Sequence, residues 1–107
     1  MESPNGKHFV PYRISMIGKA EVEYLAICAE SVEYAQHGPV IASMTKILDR
    51  LADDPRDFGE PLFRLSKLEM MVRCAAISPL RIEYGVHNSE PVVVIRKVRW
   101  LVHPASQ

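Results

Sequence analysis

Four cationic side chains in the second half of the chain, Arg73, Arg81, Lys97 and Arg99, stand in three segments that read as neighbouring strands. A guanidinium offers a planar fork of donors with a permanent charge, and an ammonium offers a compact one, so such a set on one surface suits a phosphate or another anion. Solvent-facing strand positions also carry Arg and Lys simply to stay wet and to keep sheet edges apart. Which description applies depends on the face each residue takes.

Side chains alternate across a strand. In residues 80–86 the even positions Leu80, Ile82, Tyr84 and Val86 are apolar and the odd positions are Arg81, Glu83 and Gly85. The even set is expected to face a helical layer, leaving Arg81 on the open side. In the preceding strand Met70, Val72, Cys74 and Ala76 form an apolar set, which sends Arg73 to the open side with Met71 and Ala75. In the last strand, inward Val92, Val94, Val98 and Trp100 leave Lys97 and Arg99 outward, with Arg96 misplaced toward the buried side. The expected product is one open surface bearing Arg73, Arg81, Lys97 and Arg99.

The elements that must position these residues follow from periodicity and breakers. Residues 9–17 read as a first strand. Residues 19–36 read as a helix, with Ala20, Tyr24, Ile27, Cys28, Ser31 and Ala35 on its apolar stripe and Leu25 and Val32 widening it. His37-Gly38-Pro39 ends that helix and opens a second, to residue 53, with Val40, Ile41, Met44, Ile47, Leu48 and Leu51 inward. Two helices so tightly joined form an antiparallel hairpin. "DDPRDFGEP", residues 53–61, reads as a loop. Strands over 68–77, 80–87 and 92–100 follow, joined closely enough for an antiparallel meander. The expected architecture is α+β, in the order β-α-α-β-β-β, with an antiparallel sheet carrying a helical hairpin on one face. Residues 9–102 would form the domain, between loose tails at 1–8 and 103–107.

The chain has 107 residues, enough for one core, with 48% hydrophobic and 24% charged residues. No apolar run approaches the roughly 20 residues of a membrane helix, and the polar start "MESPNGKH" lacks the apolar stretch of a signal peptide, so the expected address is cytoplasmic. The formal net charge is zero, yet residues 1–55 hold five Lys/Arg against eight Asp/Glu, and residues 56–107 hold eight against five. A basic face on a neutral protein is therefore permitted. Cys28 and Cys74 lie in apolar segments and read as reduced core residues. His8, His37, His87 and His103 show no zinc spacing, and there is no P-loop or dinucleotide glycine pattern. No metal or cofactor is expected. Trp100 suits core packing at a strand end, and base stacking as the alternative.

The order of these elements, with "LADDPRDFGEPL" after the second helix and "LRIEYGVHNSEPVVVIRKVRWL" as the closing strands, resembles the RelE/ParE superfamily of bacterial type II toxins, also described as plasmid stabilisation proteins. The resemblance runs from Tyr12 to Val102. It implies a cognate antitoxin as partner and one of two targets. RelE-like members cleave mRNA in the ribosomal A site, and ParE-like members inhibit DNA gyrase. By position, Arg73 matches the Arg of the family's second strand, Arg81 that of the "RIEY" strand, and Lys97 or Arg99 the basic end of the last strand. His103 lies near a terminal Tyr or His that assists proton transfer.

On the nuclease reading, Arg73, Arg81, Arg99 and His103 are the expected catalytic residues, with Lys97, Arg99 and Arg73 holding phosphate. RNA cleavage through its 2′-OH needs that hydroxyl deprotonated, the phosphorane stabilised and the leaving oxygen protonated. Arg and Lys supply the middle requirement without a metal, and His103 suits acid or base work. The neutral charge, Trp100 in place of a terminal Tyr, and an inward Tyr84 suit the gyrase inhibitor or a protein-interaction domain instead. In that last case the open sheet face takes a peptide or a second copy as a homodimer.

Overall fold

The structure, a computed structural model, describes residues 11–101. The tails expected at 1–8 and 103–107, and residues 9, 10 and 102, lie outside them. Strand β1 (Arg13–Met16) leads into helix α1 (Gly18–Glu33), then helix α2 (His37–Asp53) and a one-turn helix α3 (Pro55–Phe58). Strands β2 (Glu60–Leu65), β3 (Met70–Ile77), β4 (Leu80–His87) and β5 (Val92–Trp100) complete the chain. The sheet order is β1-β5-β4-β3-β2. Neighbours from β2 to β5 are antiparallel, and β1 runs parallel to β5.

The α+β architecture expected from the sequence is present, with two differences. The sheet is mixed rather than wholly antiparallel, because β1 lies beside β5 and runs the same way, with Arg13 opposite Val92 and Met16 opposite Ile95. It also has a fifth strand, in residues expected to be loop or unassigned. β2 reads "EPLFRL" and is exposed along almost its whole length, so it shows no alternation. Pro61 resembles a breaker but is tolerated on an edge strand, and an irregularity between Pro61 and Phe63 spaces its pairing with β3.

The core lies between the helices and one sheet face. Val40, Met44, Ile47 and Leu51 of α2 are buried against Leu80, Ile82, Tyr84, Val86, Val93, Ile95, Val98 and Trp100. The α2 residues recur at helical spacing, which is the reason the segment folds as an amphipathic helix. Ser43 sits in this buried stripe because its hydroxyl donates to the Ile77 carbonyl.

α1 departs from expectation on one side. Ala20 and Ser31 are buried, and Tyr24, Ile27 and Cys28 pack partly against the core. Leu25 and Val32, expected to widen that stripe, are 60% and 61% exposed, and Val22 is 67% exposed. They follow each other at three- and seven-residue steps and form a second, outward apolar stripe. The helix also ends earlier than expected. Gln36 N–H donates to the Ser31 carbonyl at 2.8 Å and Ala35 N–H to that of Val32 at 3.3 Å, the bonding of a Schellman cap. The left-handed residue in that cap is Ala35, with φ 57°. Gly38, expected in that role, lies in the first turn of α2.

Candidate phosphate-binding face

Cross-strand partners share a sheet face, so the register assigns every cation. Arg81 lies directly opposite Arg99, and Glu83 opposite Lys97. These residues stand on the side away from Leu80, Ile82 and Tyr84, which face the helices. Arg81, Lys97 and Arg99 therefore come together as expected, and with Ile82 and Glu83 they line a hollow of about 130 Å³. His103 lies outside the described residues.

Arg73 is not part of this group. It pairs with Tyr84, and its neighbours Ala75 and Ile77 pair with Ile82 and Leu80 and pack on the core. It faces the helices, opposite to expectation. The cause is that β3 is apolar on both sides. Met70 and Val72, which suggested the inward set, stand on the open face and apart from the main core, with Val72 fully buried there. Above it, Phe63 of β2 sits opposite Val72, and the Arg96 guanidinium reaches across from β5 to lie 5.8 Å from the Phe63 ring centre.

On the helix side Arg73 has a structural task. Its Nη2 donates to the Gly59 carbonyl at 2.7 Å, and the Tyr84 hydroxyl donates to the Pro55 carbonyl at 2.8 Å. Phe58 stacks on Tyr84 with ring centres 6.2 Å apart, and the Arg50 guanidinium covers Phe58 at 4.6 Å. The "DDPRDFG" stretch is thereby bolted to the sheet. A Cβ at Gly59 would collide with the Cys74 carbonyl oxygen and stand 2.7 Å from the Tyr84 hydroxyl, so only glycine fits. Burial pushes the Tyr84 phenol up; the Arg73 charge opposes that without cancelling it.

β5 also differs from expectation, and a bulge explains how. The pairing slips between Glu83 and Tyr84, so that Lys97 and Ile95 are their partners and Arg96 is the extra residue. Val93 and Ile95 face the helices before the bulge, and Val98 and Trp100 after it. Val92 and Val94, expected inward, pair on the open face with Arg13 and Ser15 of β1. A bulge re-aims a side chain in this way. Arg96, expected toward the buried side, instead meets Glu83 on the open face, Nη1 to Oε2 at 2.6 Å.

Two carboxylates are set among these cations. Glu83, 15% exposed, holds Arg96 and also lies 3.9 Å from the Lys97 ammonium. Glu23 of α1 accepts from the Val98 N–H at 3.0 Å and from Arg99 Nη1 at 2.9 Å. β1 ends at Met16, opposite Ile95, and leaves the end of β5 without a strand neighbour on that side; Glu23 fills that place. Burial pushes Glu23 up, but the Val98 N–H and the Arg99 charge outweigh it and hold the carboxyl low. Arg81 has no hydrogen-bond or ion-pair partner among the described residues. Glu23 and Glu83 were not among the site residues expected from the sequence, and Arg96 was expected on the buried side. Alternation already placed Glu83 beside Arg81, whereas Glu23 and Arg96 depend on the helix docking and the bulge.

The chain is similar in structure to a chain of the toxin–antitoxin complex RelBE2 from Mycobacterium tuberculosis. The two are 23% identical over 85% of this chain and 92% of that one, with a TM-score of 0.52. It is also similar to a chain of the archaeal RelE–RelB complex from Pyrococcus horikoshii, 16% identical over 85% of this chain and 96% of that one, with a TM-score of 0.57. The fold is RelE-like. The resemblance drawn from the closing strands is thus borne out as a likeness of fold. No protein-family model and no curated protein matches the sequence. Among the described residues no helix is long and apolar enough to cross a membrane, and no cluster of His, Cys, Asp or Glu is arranged to hold a metal ion.

Proposed function

We propose that this protein is the toxin-like member of a toxin–antitoxin pair and that its open sheet face binds the phosphate backbone of RNA. The observation that carries the binding face is the Arg81–Arg99 pair. Two like charges placed directly across a ladder destabilise a sheet. The fold relieves Arg99 through Glu23 and leaves Arg81 without a partner among the described residues. A phosphate between the two would be gripped by both guanidinium groups, with Lys97 one rung away. Four cations surround two carboxylates here, which makes the patch basic although the chain is neutral.

In RNA cleavage this group would stabilise the charge of the phosphorane, with Arg81 and Arg99 as its main donors and Lys97 as a phosphate contact. Arg73, on the other face, is a positioning residue for the segment that begins β2. The outward stripe of Val22, Leu25 and Val32 on α1 supports a protein partner, since a contiguous apolar strip on a surface marks an interaction site. An antitoxin is the partner that fits a fold shared with toxin–antitoxin complexes.

The test has two parts. Fluorescence anisotropy with a labelled 12-nucleotide single-stranded RNA measures binding, and translating ribosomes with a defined mRNA report cleavage in the A site. Binding that weakens steeply with salt and is reduced in Arg81→Met supports the face. RNA left unbound at low salt refutes it, and intact mRNA on ribosomes shown to be active refutes cleavage.

A further inference from the structure

Resting on that reading, we infer that Glu83 is a built-in counter-ion which holds two cations of the face in reserve, so that an RNA must displace it to engage them. Three observations carry this. Glu83 sits in the middle of the basic patch, one rung from the Arg81–Arg99 pair and directly opposite Lys97. Its two oxygens face different cations: Oε2 accepts from Arg96 at 2.6 Å, and Oε1 lies 3.9 Å from the Lys97 ammonium. The bulge at Arg96 brings two consecutive cations to one face, and both meet this single carboxylate.

A carboxylate presents two anionic oxygens, as a phosphate does, and Arg binds both in the same fork geometry. Glu83 thus occupies with protein oxygens the place a second backbone phosphate would take. A lone phosphate bound by Arg81 and Arg99 has no need to disturb it. A polynucleotide spans several rungs and brings further charge beside Glu83, so Lys97 and Arg96 gain by exchanging one anion for another. The resting affinity is set by Arg81 and Arg99, and Glu83 decides how much the other two add.

The experiment compares wild type, Glu83→Gln, Arg96→Met and the double variant with the same 12-nucleotide RNA from 50 to 300 mM KCl. Glu83→Gln is expected to bind about eightfold tighter at the low-salt end. Its log–log salt slope should steepen by about 0.7, the contribution of one added phosphate contact on a single strand. Arg96→Met alone should stay within about twofold of wild type, because that guanidinium is already committed. Added to Glu83→Gln, it should remove part of the gain, a coupling the double-mutant cycle isolates. If Glu83→Gln binds no better than wild type while Arg81→Met binds worse, the reserve role is overturned and the phosphate-binding face survives. If Arg96→Met alone loses as much as Arg81→Met, Arg96 already contacts the RNA and the inference fails. If neither wild type nor Glu83→Gln binds RNA, both this inference and the reading beneath it fall. Arg96→Met keeps the test decisive should Glu83→Gln not fold.

Discussion

Replacing Arg73 and Arg81 separately by Met separates the two faces of the sheet. Both residues lie on central strands and look alike in sequence. Arg73 is half-buried and gives the Gly59 carbonyl a 2.7 Å charge-assisted hydrogen bond, next to a fully buried Tyr84. Met fills the same space without a donor and leaves that carbonyl unpaired. A hydrogen bond to a charged group contributes roughly 1.5–3 kcal/mol, and partial exposure of Arg73 lowers the expected cost to about 1–2 kcal/mol. For a domain of this size that is a fall in melting temperature of roughly 5–10 °C. Arg81 is exposed and has no partner among the described residues, so Arg81→Met should change stability by no more than about 0.5 kcal/mol.

RNA affinity should respond in the opposite order. Losing one phosphate contact removes about 0.7 from the salt slope, which at 50 mM salt corresponds to roughly eightfold weaker binding relative to a 1 M reference. Arg81→Met should show that loss, and Arg73→Met, measured where it is fully folded, should bind as wild type does. Urea unfolding followed by circular dichroism and RNA anisotropy on the same samples provide both numbers. A stable Arg73→Met protein that has lost RNA binding would refute the face assignment, whatever Arg81→Met does.

Tyr84→Phe deletes the hydroxyl that satisfies the Pro55 carbonyl and should cost about 1–2 kcal/mol at neutral pH in urea titration. Because burial raises the Tyr84 phenol above its ordinary 10.0, the stability it lends is complete below about pH 10 and is lost as pH rises through the folded value. The gap between wild type and Tyr84→Phe should therefore narrow in alkali. Tyr24, pushed up to about 12 first by burial, contributes an alkaline loss of the same sign to both proteins. Ala35→Gly should raise stability by about 0.5–1 kcal/mol, since φ 57° strains alanine and suits glycine; an unchanged melting temperature would contradict that cap. Leu25→Gln with Val32→Gln should leave the melting temperature within about 3 °C, because both side chains are already wet, and on the proposed toxin–antitoxin reading should weaken co-purification with the product of an adjacent gene.

Alternation alone determined the faces of β4. Leu80, Ile82, Tyr84 and Val86 are apolar at every second position, Arg81 and Glu83 fall between them, and no irregularity inside that strand disturbs the period. The α2 stripe and the grouping of Arg81 with Lys97 and Arg99 were legible for the same reason. The tertiary structure decided the rest. In β3 both sides are apolar, so a period of two fixes which residues share a face without saying which face is inward. Register against β4 made that choice and carried Arg73 to the helix side. In β5 one extra residue reverses the parity halfway along, and nothing local to "VVVIRKVRW" marks the bulge; the need to bury both Ile95 and Val98 explains it. β2 has little burial of its own and forms because β3 offers it an edge. Glu23 and Glu83 have the composition of ordinary wet carboxylates, and helix docking and strand pairing set them among the arginines. A strand's own pattern can specify relative orientation, whereas absolute orientation and charge pairing belong to the contacts between strands.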